Sequence, residues 1–283
     1  MLGTGRLPNF LHLGPGKSGS TWLHEVLIKH PEVFLTEAKD LYFFSRYYSR
    51  GSEWYAAQFS AATADQRVVG EVCPDYLVCA EAPQRIAATL GPGVSLMVTL
   101  RDPVSRAFSS YLYLRKHGLA ADTFRETLTR TPELIGEGRY GTLLTGYLRY
   151  FAREQFHVAT FDQLQADPQG FLDDVTRWLG IGAQPLDPEL VQPRLPASAA
   201  RFQPLATLAQ RGADWIREHD GAKVVGRVKR SPLVQRTLYR PLGESRPSVS
   251  DEDAAFIRET LAPEMATVEE LFDVKVTTMW GWR

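Results

Sequence analysis

The sequence predicts an α/β fold in three layers, a central parallel sheet flanked by helices. Short apolar, β-rich runs recur at residues 9–13, 67–72, 95–100 and 156–161, with helical patterns between them. Strands that alternate with helices in this way build a parallel sheet covered on both faces. A chain of 283 residues, 44% of them hydrophobic, is long enough to bury a full core of that kind.

The first run leads into Gly14-Pro15-Gly16-Lys17-Ser18-Gly19-Ser20-Thr21-Trp22, and an amphipathic pattern follows from Leu23. A strand, a glycine-rich loop with one lysine and three hydroxyls, then a helix is an arrangement for holding a phosphate. Backbone N–H groups and the helix dipole attract the anion at the helix N-terminus. A Walker A loop ends in Gly-Lys-Ser/Thr after a four-residue spacer, whereas here Lys17 precedes the last glycine. The order argues against an ordinary ATP or GTP loop.

The third run ends at Leu100-Arg101-Asp102-Pro103. Asp102 before Pro103 predicts a helix start, and the helix runs through Arg106, Phe108 and Tyr111 towards Lys116. Arg101 sits at the strand end and Ser109 two helical turns on. A guanidinium fork and a short hydroxyl suit a second phosphate, distant from the first. Two separated phosphate sites suggest a nucleotide phosphorylated at both ends. After the fourth run, Asp167-Pro168 opens another helix that ends near Leu179-Gly180.

One domain is expected over residues 1–283, with a cofactor-binding α/β core at 8–180 and a part made of helices and loops at 181–283. In the latter, Pro185, Pro188, Pro193 and Pro196 crowd together with no clear strand. Residues 223–246 carry seven basic side chains against the single acid Glu244, a solvated face or a basic lid. Ser250-Asp251-Glu252-Asp253 reads as the capped start of a final helix reaching about Phe272.

The formal net charge is −1, which gives no reason to expect nucleic-acid or membrane partners, so any anion site is local. No segment approaches the roughly 18 apolar residues of a membrane span, and the N-terminus lacks a signal-peptide core. Cys73 and Cys79, the only cysteines, are too few for a disulfide framework and read as small buried residues. The six histidines show no metal spacing, so no metal is expected. A cytoplasmic protein is the resulting expectation.

The Lys17 loop, residues 100–111 and Lys39-Asp40-Leu41-Tyr42-Phe43-Phe44 with Trp54-Tyr55 resemble, in order and spacing, the PAPS-dependent sulfotransferases. The branch most similar is that of heparan sulfate sulfotransferases and their bacterial relatives. The resemblance covers roughly residues 8–180, with a weaker echo at Met279-Trp280. It implies a P-loop-like fold and in-line transfer of a sulfuryl group from PAPS to a hydroxyl, or failing that an amine, of a small molecule or glycan, with PAP as product.

By the same resemblance Lys17, Ser18, Gly19, Ser20, Thr21 and Trp22 hold the 5′-phosphosulfate, and Lys17 stabilises charge on the leaving oxygen. Arg101 and Ser109 hold the 3′-phosphate. The glutamate base of the glycan enzymes aligns with Asp40, one methylene shorter. Glu37, Glu71 and His12 are the competing bases. Tyr42 stands where the family often has histidine, and Val72 where the glycan enzymes place lysine, so the acceptor is not recognised as heparan sulfate is. Tyr42, Phe43 and Phe44 read as core or acceptor-cleft wall. An Ala- and Arg-rich composition fits a bacterial enzyme that tailors a secondary metabolite. The alternatives to this reading are a P-loop-type kinase using ATP and a non-catalytic nucleotide-binding protein.

Overall fold

A computed structural model describes residues 6–191, 198–200, 239–241 and 247–282. Cα packing groups the chain into two compact units, one of residues 1–102, 139–192 and 262–283, the other of residues 103–138 and 193–261. The basic run at 223–246 lies outside the described residues except for 239–241.

The first unit holds a five-stranded sheet in the order β2-β3-β1-β4-β5. The strands are β1 (Phe10–Gly14), β2 (Val33–Leu35), β3 (Val68–Val72), β4 (Ser95–Leu100) and β5 (Phe156–Thr160). Every pairing is parallel, as expected. Every residue of β1 and β3 is buried, which is why they read as largely apolar runs without alternation, broken only by His12 and Glu71.

Side chains alternate across the sheet. On one face Phe10, Val68, Val72, Met97 and Ala159 pack with helices α1 (Ser20–Leu27), α8 (Phe161–Ala166) and α9 (Pro168–Trp178) through Leu23, Leu164, Phe171 and Val175. On the other face, where Glu71 points, lies an aromatic cluster. In it Phe43 stacks on Tyr55 at 4.3 Å between centroids, and Phe44 meets Tyr76 edge-on at 5.3 Å.

The intervening helices are α2 (Gly51–Ala57), α3 (Ala82–Leu90), α4 (Pro103–Lys116), α5 (Phe124–Arg130), α6 (Glu133–Gly136) and α7 (Tyr140–Leu148). Beyond α9 come α10 (Pro188–Val191), α11 (Asp251–Phe272) and α12 (Val276–Met279). The caps follow the sequence signals. The Asp167 carboxylate accepts from the Gly170 N–H at 2.9 Å, with Pro168 in the first turn. Ser250 Oγ accepts from the Asp253 N–H at 3.1 Å, opening α11 where expected.

In the second unit α4, α5 and α6 share a core around Tyr111, Phe124 and Leu134. Arg106 is wholly buried there, its charge met by Glu137 at 2.6 Å and by the Leu134 carbonyl. Two differences from expectation stand out. Residues 33–35 form a strand, and Ser198–Ala200 (β6) pairs antiparallel with Tyr239–Pro241 (β7), where only helices and loops were expected. All three are three-residue strands, made by their pairing partners and not by a local pattern.

Candidate active site

The strand order places the site. From β1 the chain leaves towards β2 on one side, and from β4 it leaves towards β5 on the other. The crevice between β1 and β4 is therefore the topological switch point, where open parallel sheets bind ligands beyond their carboxyl ends. The two sequence clusters with phosphate chemistry follow these two strands.

Gly14 ends β1 at φ 116°, and a Cβ there would lie 2.6 Å from the Pro74 carbonyl oxygen. Only glycine permits that approach. Lys17 adopts φ 70°, and Gly19, the N-cap of α1, φ 87°. No side chain caps α1, and its first turn carries no acid, so the helix N-terminus is left for an anion. Ser18 is 1% exposed, and its Oγ has no hydrogen-bond partner among the described residues. A buried hydroxyl without a partner in a phosphate-type loop fits a bound anion oxygen.

Arg101 comes to the same loop. Its Nη1 donates to the Lys17 carbonyl at 2.7 Å, and its guanidinium lies 4.5 Å from the centroid of the Phe161 ring. The Tyr140 hydroxyl donates to the Arg101 carbonyl at 2.9 Å. Phe161 and Tyr140 thus steady the arginine from side chain and backbone, a task their sequence positions do not reveal. The Trp22 indole turns away from the loop to donate to the Leu190 carbonyl at 2.8 Å, and it packs edge-on against Phe171. What Trp22 offers the loop is its backbone. Ser20 is buried and Thr21 exposed in that first turn. Ser109 is half-buried on α4 in the second unit.

Asp40 occupies a turn beside the end of β3, its N–H donating to the Val72 carbonyl at 3.1 Å. Its carboxylate pairs with Lys39 at 2.7 Å, both side chains being largely buried. Asp40 and Tyr42 have φ 65° and 56°, left-handed values that cost energy in residues other than glycine.

The competing bases have other surroundings. Glu37 is exposed. His12 is fully buried in β1, its Nε2 3.1 Å from Thr99 Oγ1. Burial, and then the nearby Lys39 charge, lower its pKa to about 3, so it is neutral near pH 7. Glu71 is 1% exposed and accepts from the Leu41 N–H at 2.9 Å, Tyr55 at 2.9 Å and Tyr76 at 2.8 Å. Desolvation raises its pKa to about 7 against those three hydrogen bonds. Phe43 and Phe44 belong to the core and Tyr42 is half-buried. Cys73 is buried, while Cys79 is only partly so, contrary to expectation, its thiol donating to Glu81 at 3.3 Å.

Residues 7–197 match the family described as the sulfotransferase domain. The chain belongs to that family. It is 33% identical over 187 residues to human heparan sulfate glucosamine 3-O-sulfotransferase 6, covering 63% of this chain and 54% of the relative. To human heparan sulfate glucosamine 3-O-sulfotransferase 3B1 it is 35% identical over 189 residues, covering 63% and 47%. The chain thus spans about half the length of these curated relatives. A solved sulfotransferase from Alicyclobacillus acidocaldarius shares the fold, with a TM-score of 0.57 at 24% identity, covering 82% of this chain and 99% of that one. Among the described residues no helix is long and apolar enough to cross a membrane.

Proposed function

We propose that this sulfotransferase-family chain is an enzyme that moves a sulfuryl group from PAPS to a hydroxyl of a small molecule or glycan. The observation that carries the reading is the 2.7 Å bond from Arg101 to the Lys17 carbonyl, which brings the Arg101 guanidinium onto the loop that opens α1 at the switch point. Bound there, PAPS supplies the sulfuryl group and is released as PAP.

We assign the roles from the resemblance together with position. The Ser18 hydroxyl and the N–H groups opening α1 hold the 5′-phosphosulfate oxygens, and Lys17 balances the negative charge that grows on the bridging oxygen as its bond to sulfur breaks. Arg101 binds the 3′-phosphate. For Ser109, on α4, the same role rests on the sequence pattern alone. Asp40 takes the proton of the acceptor hydroxyl as the new oxygen–sulfur bond forms. Tyr42 and Val72, in place of the histidine and lysine of the glycan branch, leave the acceptor's identity to a screen of glycans and small metabolites. A kinase reading lacks support, since Lys17 stands out of Walker order.

Calorimetric titration with adenosine 3′,5′-bisphosphate, run beside ATP with magnesium, tests the reading. Binding of the bisphosphate and not of ATP is expected. Arg101→Ala should weaken it roughly 10- to 100-fold, the worth of a charged hydrogen bond. Lys17→Ala should lower kcat by about 10² to 10³, as loss of a transition-state donor does. Preference for ATP would sink the proposal.

A further inference from the structure

The acid that the sequence offers only as a competing base has the most constrained surroundings at the sheet edge. Glu71 sits on β3 with its carboxylate under the aromatic cluster, where an ionised group costs several kcal/mol unless fully hydrogen-bonded. Three donors from three separate segments meet it. Tyr55 comes from α2, Tyr76 from the turn after β3, and the third is not a side chain but the backbone N–H of Leu41.

Leu41 follows Asp40, and the Asp40 N–H is itself bound to Val72. Two successive N–H groups are therefore fastened to two successive residues of β3, one to a backbone oxygen and one to the Glu71 side chain. Between and beyond them the backbone takes left-handed values at Asp40 and Tyr42, which persist only where the surroundings over-determine them. Removing the Leu41 bond frees that turn to relax, and the Asp40 carboxylate moves with it.

We infer that Glu71 is a positioning residue, whose buried carboxylate clamps the turn at residues 39–42 and thereby aims Asp40 at the acceptor. The inference rests on the proposed sulfuryl transfer for what Asp40 does, and on the geometry alone for the clamp. Glu71 itself does not take the acceptor's proton, because both its oxygens are occupied by Tyr55, Tyr76 and Leu41 in a closed apolar site. The charged and titratable groups around it are Asp40, whose negative charge opposes its ionisation, the buried Cys73 thiol and the two tyrosine hydroxyls.

Two variants separate clamping from mere core filling. Glu71→Gln keeps an oxygen for the Leu41 N–H, whereas Glu71→Leu fills the space and removes the acceptor. In Glu71→Leu, kcat should fall at least about tenfold, up to the roughly hundredfold cost of a 1 Å misplacement, with bisphosphate affinity within about twofold of wild type. Glu71→Gln should restore most of kcat. Amide hydrogen exchange across residues 39–42 should accelerate in Glu71→Leu and stay near wild type in Glu71→Gln.

Wild-type kcat in folded Glu71→Leu, or unchanged exchange at residues 39–42, overturns the inference. So does an equal loss of bisphosphate affinity, which would mark general damage. If Glu71→Leu does not fold, Glu71→Asp takes its place, its carboxylate withdrawn by about 1.5 Å from the Leu41 N–H and the same outcomes expected. The exchange readout needs no substrate. If the wild type neither binds the bisphosphate nor transfers sulfate, the proposed function fails while exchange still judges the clamp.

Discussion

His12 on β1 and Glu71 on β3 are both buried at the sheet, and burial moves their proton affinities in opposite directions. His12 drops from 6.5 to about 3, while Glu71 rises from 4.5 to about 7. Between about pH 4.5 and 6.5 an unfolded His12 holds a proton that the folded one lacks, so its contribution to stability rises with pH. Over the same window folded Glu71 holds a proton that the unfolded one lacks, so its contribution falls as pH rises. Each slope is about 1.4 kcal/mol per pH unit, and the two contributions oppose each other. Removing either group should expose the other. Urea unfolding at about pH 5 and pH 6 should show the stability of His12→Gln changing less favourably with rising pH than wild type, and that of Glu71→Gln more favourably. Parallel profiles for the two variants would mean that these groups do not carry the burial costs assigned to them.

The element that defines the site is the β1 to α1 connection, and its tolerance to change is set by what surrounds each glycine. Gly14 combines φ 116° with a Pro74 backbone oxygen 2.6 Å from where a Cβ would stand, whereas Gly91, at φ 74°, has nothing within 4 Å. Gly91→Ala, at φ 74° and ψ −172°, should cost on the order of 1–3 kcal/mol of backbone strain. Gly14→Ala should cost more than that and also weaken bisphosphate binding, because the loop cannot shift without leaving the turn at Pro74. Thermal shift and titration of the two variants check the ordering, and equal losses would refute it. How much of this could be read from sequence also differs by element. Strands β1, β3, β4 and β5 stand at the apolar runs because buried central strands carry their signal locally. Strand β2 does not, since Val33–Leu35 is too short for a pattern after Pro31 and owes its form to pairing with Val68–Gly70. The caps of α9 and α11 were legible from Asp167 and Ser250, as local chemistry should be. Lys17 and Arg101 were legible as groups at strand ends. That Arg101 grips the Lys17 carbonyl depends on β1 lying beside β4, which chain order does not state. Glu71 showed only as one acid among several, because Leu41, Tyr55 and Tyr76 converge on it through tertiary structure.

Across the whole molecule a net charge of −1 supplies no general attraction for an anionic nucleotide, so the proposed function assigns the affinity to the local cations and the α1 terminus. Both lie in the first unit, which is assembled from three stretches of chain, and the chain passes between the units four times, after residues 102, 138, 192 and 261. The last passage falls inside α11, a continuous helix of 22 residues. Each unit loses its share of that helix when it unfolds, and cooperative melting of the two is the expected outcome. A ligand that binds only the folded state at one hundred times its Kd adds about 2.7 kcal/mol. For a chain of this size that is roughly 5 to 10 °C in Tm. Scanning calorimetry should therefore show one transition, moved upward as a whole by adenosine 3′,5′-bisphosphate, unmoved by ATP with magnesium, and moved much less in Arg101→Ala. Two transitions with only one displaced would show that the helix does not couple the units. An unmoved transition at saturating bisphosphate would remove the nucleotide site itself.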